Sequence, residues 1–277
     1  MKKLFKTGLF LIVLSLTLGL SSAYAFNSAT HLYIAEQVFK DNNINNINLY
    51  YGSIAPDLSL YVATPENWST AFEDTHYTYI DLRPYAVGFT QKAFASGWLT
   101  HNEDWGADHC AHIEYPLGSN KGYVVEKAEE LSYQTGLDPE FAQLAVEVAI
   151  DLLLRNNDDP RLGEKLLKAD LLRSWKDRYL LVKVLVWKER RTDWLTLATA
   201  ELTFRDLVGR YAVGLALPDP QNKEALAELG AQLAGERYGI EVSPAEVLNL
   251  LELAIGLCEG DYKEVVDFAI EQIKDNI

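Results

Sequence analysis

An all-α fold is predicted for this chain, on three observations. Apolar residues recur at helical spacing through much of the chain, as in residues 29–40, 89–101, 123–134 and 141–154. Two helices announce their starts with a capping residue followed by proline, Asp138-Pro139 and Ser243-Pro244. No segment alternates with the period of two that marks a half-buried strand, and there is no internal repeat. Helices that each bury one stripe must pack on one another, so a compact multi-helix bundle is expected.

The first 25 residues read as a processing signal. Lys2, Lys3 and Lys6 precede a short apolar run at 9–20, and Ser21-Ser22-Ala23-Tyr24-Ala25 supplies small residues at a cleavage site. Cleavage after Ala25 is expected, leaving Phe26 as the first residue of a secreted or periplasmic protein. Residues 29–40 follow as a helix. Residues 42–48, rich in Asn, read as a loop, and 51–57 as a turn-rich segment punctuated by Gly52 and Pro56. Further loops are expected at 65–69 and 83–84. The helix at 89–101 carries a pattern that extends to 112, and 116–122 breaks it. After the helices at 123–134 and about 138–155, two or three more precede Pro218-Asp219-Pro220, and two or three follow it. Residues 26–217 are expected to form the main domain, with 218–277 a helical extension packed on the same body.

Forty Asp and Glu against 25 Lys and Arg give a net charge of −15. Such a chain lacks the basic footprint of a nucleic-acid binder, and stable nucleic-acid binding is not expected. Chemistry on a phosphodiester is still open to it if bound cations supply local positive charge. The two cysteines, Cys110 and Cys258, are free to pair after export or to stay buried as thiols. Cys110 also stands among candidate metal ligands.

All five histidines, His31, His76, His101, His109 and His112, fall before residue 113. Imidazole is the commonest nitrogen ligand of zinc, and carboxylates complete such sites. On one straight helix Asp108 and His112 would lie about 20° either side of His101, while His109 would point away. His101 and His112 would then be about 16 Å apart, too far for one ion. Either they serve different metals, or Gly106 breaks the helix and folds its ends together. Asp104 is the alternative partner of His101. A second pair, Glu147 and Asp151, sits four residues apart on one face of an apolar helix. Carboxylates are seldom buried without a partner, and a metal would satisfy both.

Thr30-His31, then Gly52-Ser53-Ile54-Ala55-Pro56-Asp57, then Phe72 to His76-Tyr77, then Gly97-Trp98-Leu99-Thr100-His101 followed by Asp and His, resembles in order and spacing the zinc-dependent phospholipase C family. The fungal zinc single-strand nucleases are related to that family. The resemblance covers about residues 26–151 and implies an all-helical bundle around two or three zinc ions. It implies that the amino group and carbonyl of a liberated Phe26 bind metal with His31, and that Asp57, His76 and His101 form a second centre. A following Asp would bridge the two. The family places that Asp four residues after the His, where this chain has Trp105, so Asp104 or Asp108 must stand in, and Asp108 is preferred. The third centre would take His112, Glu147 and Asp151. Glu147 replaces the family's His, so this centre is richer in oxygen and suits other divalent ions as well.

The activity implied is exported, metal-dependent phosphodiester hydrolysis of the phospholipase C type, using a metal-bridged hydroxide with Asp57 as general base. Phospholipid or another phosphodiester is the expected substrate, with peripheral membrane contact. Tyr50, Tyr51, Tyr61, Trp68, Tyr77 and Tyr79 flank the ligands and either line a lipid pocket or fill the core. The alternatives are a noncatalytic metal-binding module of the same fold and a single-strand nuclease.

Overall fold

The structure, a computed structural model, describes residues 26–61, 71–77, 79–115 and 120–277. The expected signal segment, the loop at 65–69 and Trp68 lie outside the described residues. Among the described residues every regular element is a helix and none is a strand. In chain order the α-helices are α1 (Ser28–Val38), α2 (Ile47–Ile54), α3 (Gly88–Leu99), α4 (Tyr123–Thr135), α5 (Pro139–Asn157), α6 (Leu162–Leu172), α7 (Trp175–Leu181), α8 (Trp194–Ala216), α9 (Gln221–Tyr238), α10 (Pro244–Cys258) and α11 (Tyr262–Asn276).

Helix α1 lies at the centre of the bundle. Asn27 caps its start by accepting from the Ser28 amide, and Ser28 through Ala35 are all buried. A helix buried on every side must be small or apolar throughout, and Ala29, Leu32, Ile34 and Ala35 meet that need. Its polar residues Thr30 and His31 are also fully buried, so each requires a partner in the interior.

Helix α2 corrects the reading of residues 51–57 as a turn. Asn46 caps it by accepting from the Asn48 amide, and it runs on into a tight 3-10 helix, Ala55–Tyr61. Gly52 is there for contact, not for a turn. A Cβ on Gly52 would lie 2.1 Å from the Phe94 carbonyl oxygen, and one on Gly97 would lie 2.0 Å from that of Leu49. The two glycines thus let α2 and α3 cross backbone to backbone. Pro56 is tolerated because it falls at the start of the tighter helix, where its missing N–H costs little.

The C-terminal helices belong to the same core. Val265, Val266, Ala269, Ile270 and Ile273 of α11 are buried in one cluster with Leu32 and Ile34 of α1. Lys127 of α4 binds Asp261 at 2.7 Å, and Gln272 donates to the Trp105 carbonyl at 3.2 Å. No described helix is long and apolar enough to cross a membrane. Cys110 and Cys258 are both free and buried, so the bridge left open above is not formed.

Candidate metal centre

Five side chains from four separate parts of the chain meet in the interior. His31 comes from α1, Asp57 from the 3-10 helix, His76 from the segment at 71–77, and His101 and Asp108 from the stretch after α3. Their ligand atoms fall into two groups that share His101. His31, Asp57 and His101 form one, and His76, His101 and Asp108 the other, with all atoms of a group within 4.8 Å of one another. These are buried His and Asp groups able to hold a metal ion.

The stretch after α3 is not one straight helix, which corrects the single stripe drawn from His101 to His112: a separate wide helical turn covers His109–Ile113. Helix α3 ends at Leu99. The Asn102 side chain then accepts from the amides of Asp104, Trp105 and Gly106, holding a turn of the kind Asn favours. The amide of Asp108 returns to the His101 carbonyl at 3.0 Å. Gly106 is needed here, because its Cβ would lie 2.4 Å from the Asn102 carbonyl oxygen. The turn, not helical spacing, puts Asp108 beside His101, while Asp104 is exposed to solvent.

Second contacts orient the imidazoles. His101 Nδ1 lies 2.8 Å from the Ser53 carbonyl oxygen. A carbonyl only accepts, so Nδ1 carries the proton and Nε2 presents its lone pair to the cluster. His76 Nδ1 lies 2.7 Å from Thr75 Oγ1 and 3.3 Å from the Phe72 carbonyl oxygen. The Thr75 hydroxyl is itself placed to donate to Ala71 and Phe72 carbonyls, so His76 Nδ1 is also a donor. The two Nε2 atoms then face each other at 3.3 Å. Two lone pairs at that distance repel unless a proton or a metal cation lies between them. Fixing the outer nitrogen so that the inner one can bind is the usual arrangement around a metal.

Asp108 faces all three rings. Its Oδ1 is 3.3 Å from His31 Nε2, and its Oδ2 is 3.2 Å from His101 Nε2 and 3.7 Å from His76 Nε2. Asp57 Oδ1 lies 3.3 Å from His101 Nε2 and 3.6 Å from His76 Nε2. Both oxygens of Asp108 and both ring nitrogens of His31 are buried without a hydrogen-bond partner. Such orphaned groups are costly in an interior and fit a cation as their missing partner. The His31 ring also stacks on His101, with centroids 4.0 Å apart.

The charges are unevenly shared. Burial lowers the pKa of His31 well below the usual histidine value, with His101 adding to the shift. Burial likewise lowers His76, against the pull of Asp57. At His101 burial acts in the same direction, but Asp108 and Asp57 outweigh it and raise the ring to about 9. Asp57 is held ionised against its burial by His101 and His76, whereas burial pushes Asp108 well above the carboxylate range. A proton on His101 therefore occupies the place a cation would take.

His112, Glu147 and Asp151 take other partners. Asp151 accepts from the Thr30 amide at 2.7 Å, Thr30 Oγ1 at 2.6 Å, the Ala29 amide at 3.3 Å and the Tyr211 hydroxyl at 2.7 Å. Four donors fill a carboxylate's capacity. Asp151 thus anchors the N-terminus of α1, a favourable place for an anion. His112 Nδ1 lies 3.3 Å from Glu103 Oε1, and Gln143 links His112 Nε2 to Glu147 Oε1, each at 3.2 Å. His112, Glu147 and Asp151 are not gathered into a metal-ligand group among the described residues. Burial keeps the pKa of Glu147 well above the usual glutamate value.

Phe26 is buried, with its ring edge-on to His31 at 6.3 Å between centroids. His109 Nδ1 binds the Glu103 carbonyl at 3.0 Å, outside the cluster. Burial raises the Cys110 thiol to about 12, so it is no ready thiolate ligand. Of the aromatic residues named from sequence, Tyr51 is core, Tyr77 is exposed, and Tyr79 packs against Trp105 at 5.9 Å. Asn102, Thr75 and the Ser53 carbonyl were not picked out from sequence. Only the Asn102–Gly106 spacing carried a local signal, as a turn.

Fold and site together define an all-helical protein with a buried histidine–aspartate cluster able to hold metal. Compared with known proteins, the chain matches no family model, no curated protein and no solved structure.

Proposed function

We propose that this chain is an exported metal-dependent phosphodiester hydrolase of the phospholipase C type. The reading rests on the family resemblance, and one structural observation supports it above all. Three imidazoles and two carboxylates, distant in sequence, converge on a space where the inward-facing Nε2 atoms of His76 and His101 lie 3.3 Å apart. Nitrogen and carboxylate donors in this mix suit zinc.

His31, Asp57, His76, His101 and Asp108 would hold the metal, which would neutralise phosphate oxygens and polarise the ester when bound. Asp108, facing His31 with one oxygen and His76 and His101 with the other, would supply the carboxylate ligand they share. Ser53 and Thr75 hold the His101 and His76 rings in the binding tautomer. The Asp57 side chain is 12 % exposed, while those of His31, His76, His101 and Asp108 are fully buried. Asp57 therefore reaches the solvent side, where its carboxylate can orient a water and accept its proton. Phospholipid is the favoured substrate class, on the family resemblance.

The test is hydrolysis by zinc-loaded protein of a chromogenic phosphocholine ester and of phospholipid vesicles, with and without chelator. Chelator-sensitive turnover, reduced roughly 100-fold or more in Asp57→Asn, is expected for loss of a general base. Bound metal without turnover on lipid, nucleotide or simple diesters would replace the proposal with a noncatalytic metal-binding module. Turnover on single-stranded DNA alone would replace it with a nuclease.

A further inference from the structure

The segment between α6 and α8 differs from the rest of the molecule in charge and in what it exposes. Residues 173–191 hold seven Lys and Arg against two Asp and Glu, in a chain of net charge −15; Arg173 and Arg178 pair with Glu201 and Arg191 with Asp74, which leaves Lys176, Lys183, Lys188 and Arg190 as the cations of the face. Within it Trp175, Tyr179 and Trp187 are exposed, at 73 %, 47 % and 57 %. The Tyr179 and Trp187 rings meet edge to face at 5.7 Å, so α7 and the wide helical turn Val182–Lys188 present one surface. Gln91 extends it by accepting from the Val87 amide at 2.8 Å and donating to the Lys176 carbonyl at 2.7 Å. That clamp sets the exposed Val87 and Phe89 at the start of α3 beside α7. The Lys188 ammonium lies over the Tyr85 ring at 3.8 Å, and Lys183 donates to the Tyr85 carbonyl at 3.3 Å.

We propose that this face docks on an anionic phospholipid surface. Large aromatic side chains standing in water mark an interaction site. Trp and Tyr interleaved with Lys and Arg match the headgroup boundary, where amphipathic rings settle and basic groups meet anionic lipid. The face is basic while the chain as a whole is acidic, so the same electrostatics that attract this face to the membrane turn the remainder away. It also adjoins the metal cluster: Arg191 pairs with Asp74 at 3.2 Å, two residues before His76. Docking does not depend on the proposed hydrolysis, because surface binding requires no turnover.

The test is co-sedimentation of the full chain with vesicles of phosphatidylcholine alone and of phosphatidylcholine mixed with phosphatidylglycerol. Chelator is present throughout to silence any hydrolysis. The wild type is expected to bind the mixed vesicles roughly tenfold or more above the neutral ones, and salt should reduce that preference. The pair Lys176→Glu and Lys188→Glu should abolish the preference, and Trp175→Ala with Trp187→Ala should weaken binding. These four side chains are exposed, and circular dichroism checks that each variant folds. Should the tryptophan pair unfold, the charge pair carries the test. The apolar run at 9–20 is common to all forms, so differences between them report the face. Equal wild-type binding to both vesicles, or variants that bind like the wild type, would overturn the proposal. Salt-sensitive self-association lost in the variants, without vesicle binding, would overturn it in favour of a second copy of the chain.

Discussion

His101 is the residue on which the cluster turns, since it belongs to both candidate ligand groups. Its ring is raised to about 9 by Asp108 and Asp57 against the cost of burial. The folded chain therefore holds a proton there that the unfolded chain releases near pH 6.5. The resulting stability is fully present below about pH 6.5 and is lost as the pH rises through about 9. In chelator, unfolding should become easier across that window by an amount of order 3 kcal/mol, and His101→Gln should remove the effect. Urea titrations at a series of pH values measure it. His31 and His76 act in the opposite sense, because their lowered pKa values make them resist charging below pH 6.5. Metal binding should displace the His101 proton, so affinity should fall as the pH drops. Asp108→Asn removes the carboxyl group facing all three rings. Zinc should raise the melting temperature of the wild type by mass action and leave that of Asp108→Asn unchanged in a thermal scan.

Among the elements, the α2–α3 crossing decides whether the rings are aimed correctly. A methyl group at Gly97 would strike the Leu49 carbonyl and push apart the helices that bring Ser53 to His101. Gly97→Ala should cost on the order of 1–3 kcal/mol as an overpacking change and weaken zinc binding, by denaturant titration and calorimetry. Asp151→Asn should destabilise the fold by about 3 kcal/mol, because it disturbs the anchor of α1, yet leave the zinc content of the main cluster unchanged. Local sequence made some of this legible and hid the rest. The proline-after-cap starts at Asp138 and Ser243 mark α5 and α10, because capping chemistry is local. Helix α2 was obscured, since Gly52 and Pro56 carry the same letters in a turn and at a tight crossing. Asp108 was legible as a candidate, but by a helical spacing that the Asn102 turn replaces. Asp151 reads from its own helix as a metal ligand beside Glu147, because its partners Thr30 and Tyr211 lie 121 and 60 positions away, beyond any local pattern.

For the whole molecule, the cluster is held by a core that includes both ends of the described chain. Helix α11 packs on α1, the helix that carries His31, so the C-terminal helices brace the metal centre from behind. The basic face at residues 173–191 stands out from a chain of net charge −15, and the proposed docking turns that face toward anionic lipid. This organisation supports the proposal that His31, Asp57, His76, His101 and Asp108 together hold a divalent cation. Elemental analysis after zinc loading and exhaustive dialysis tests it most directly. The wild type should retain at least about one zinc per chain, as expected for a site with several nitrogen and oxygen ligands, and His101→Ala and Asp108→Asn should retain none. Wild-type protein that comes through dialysis without zinc, or folded variants that keep as much as the wild type, would contradict the account.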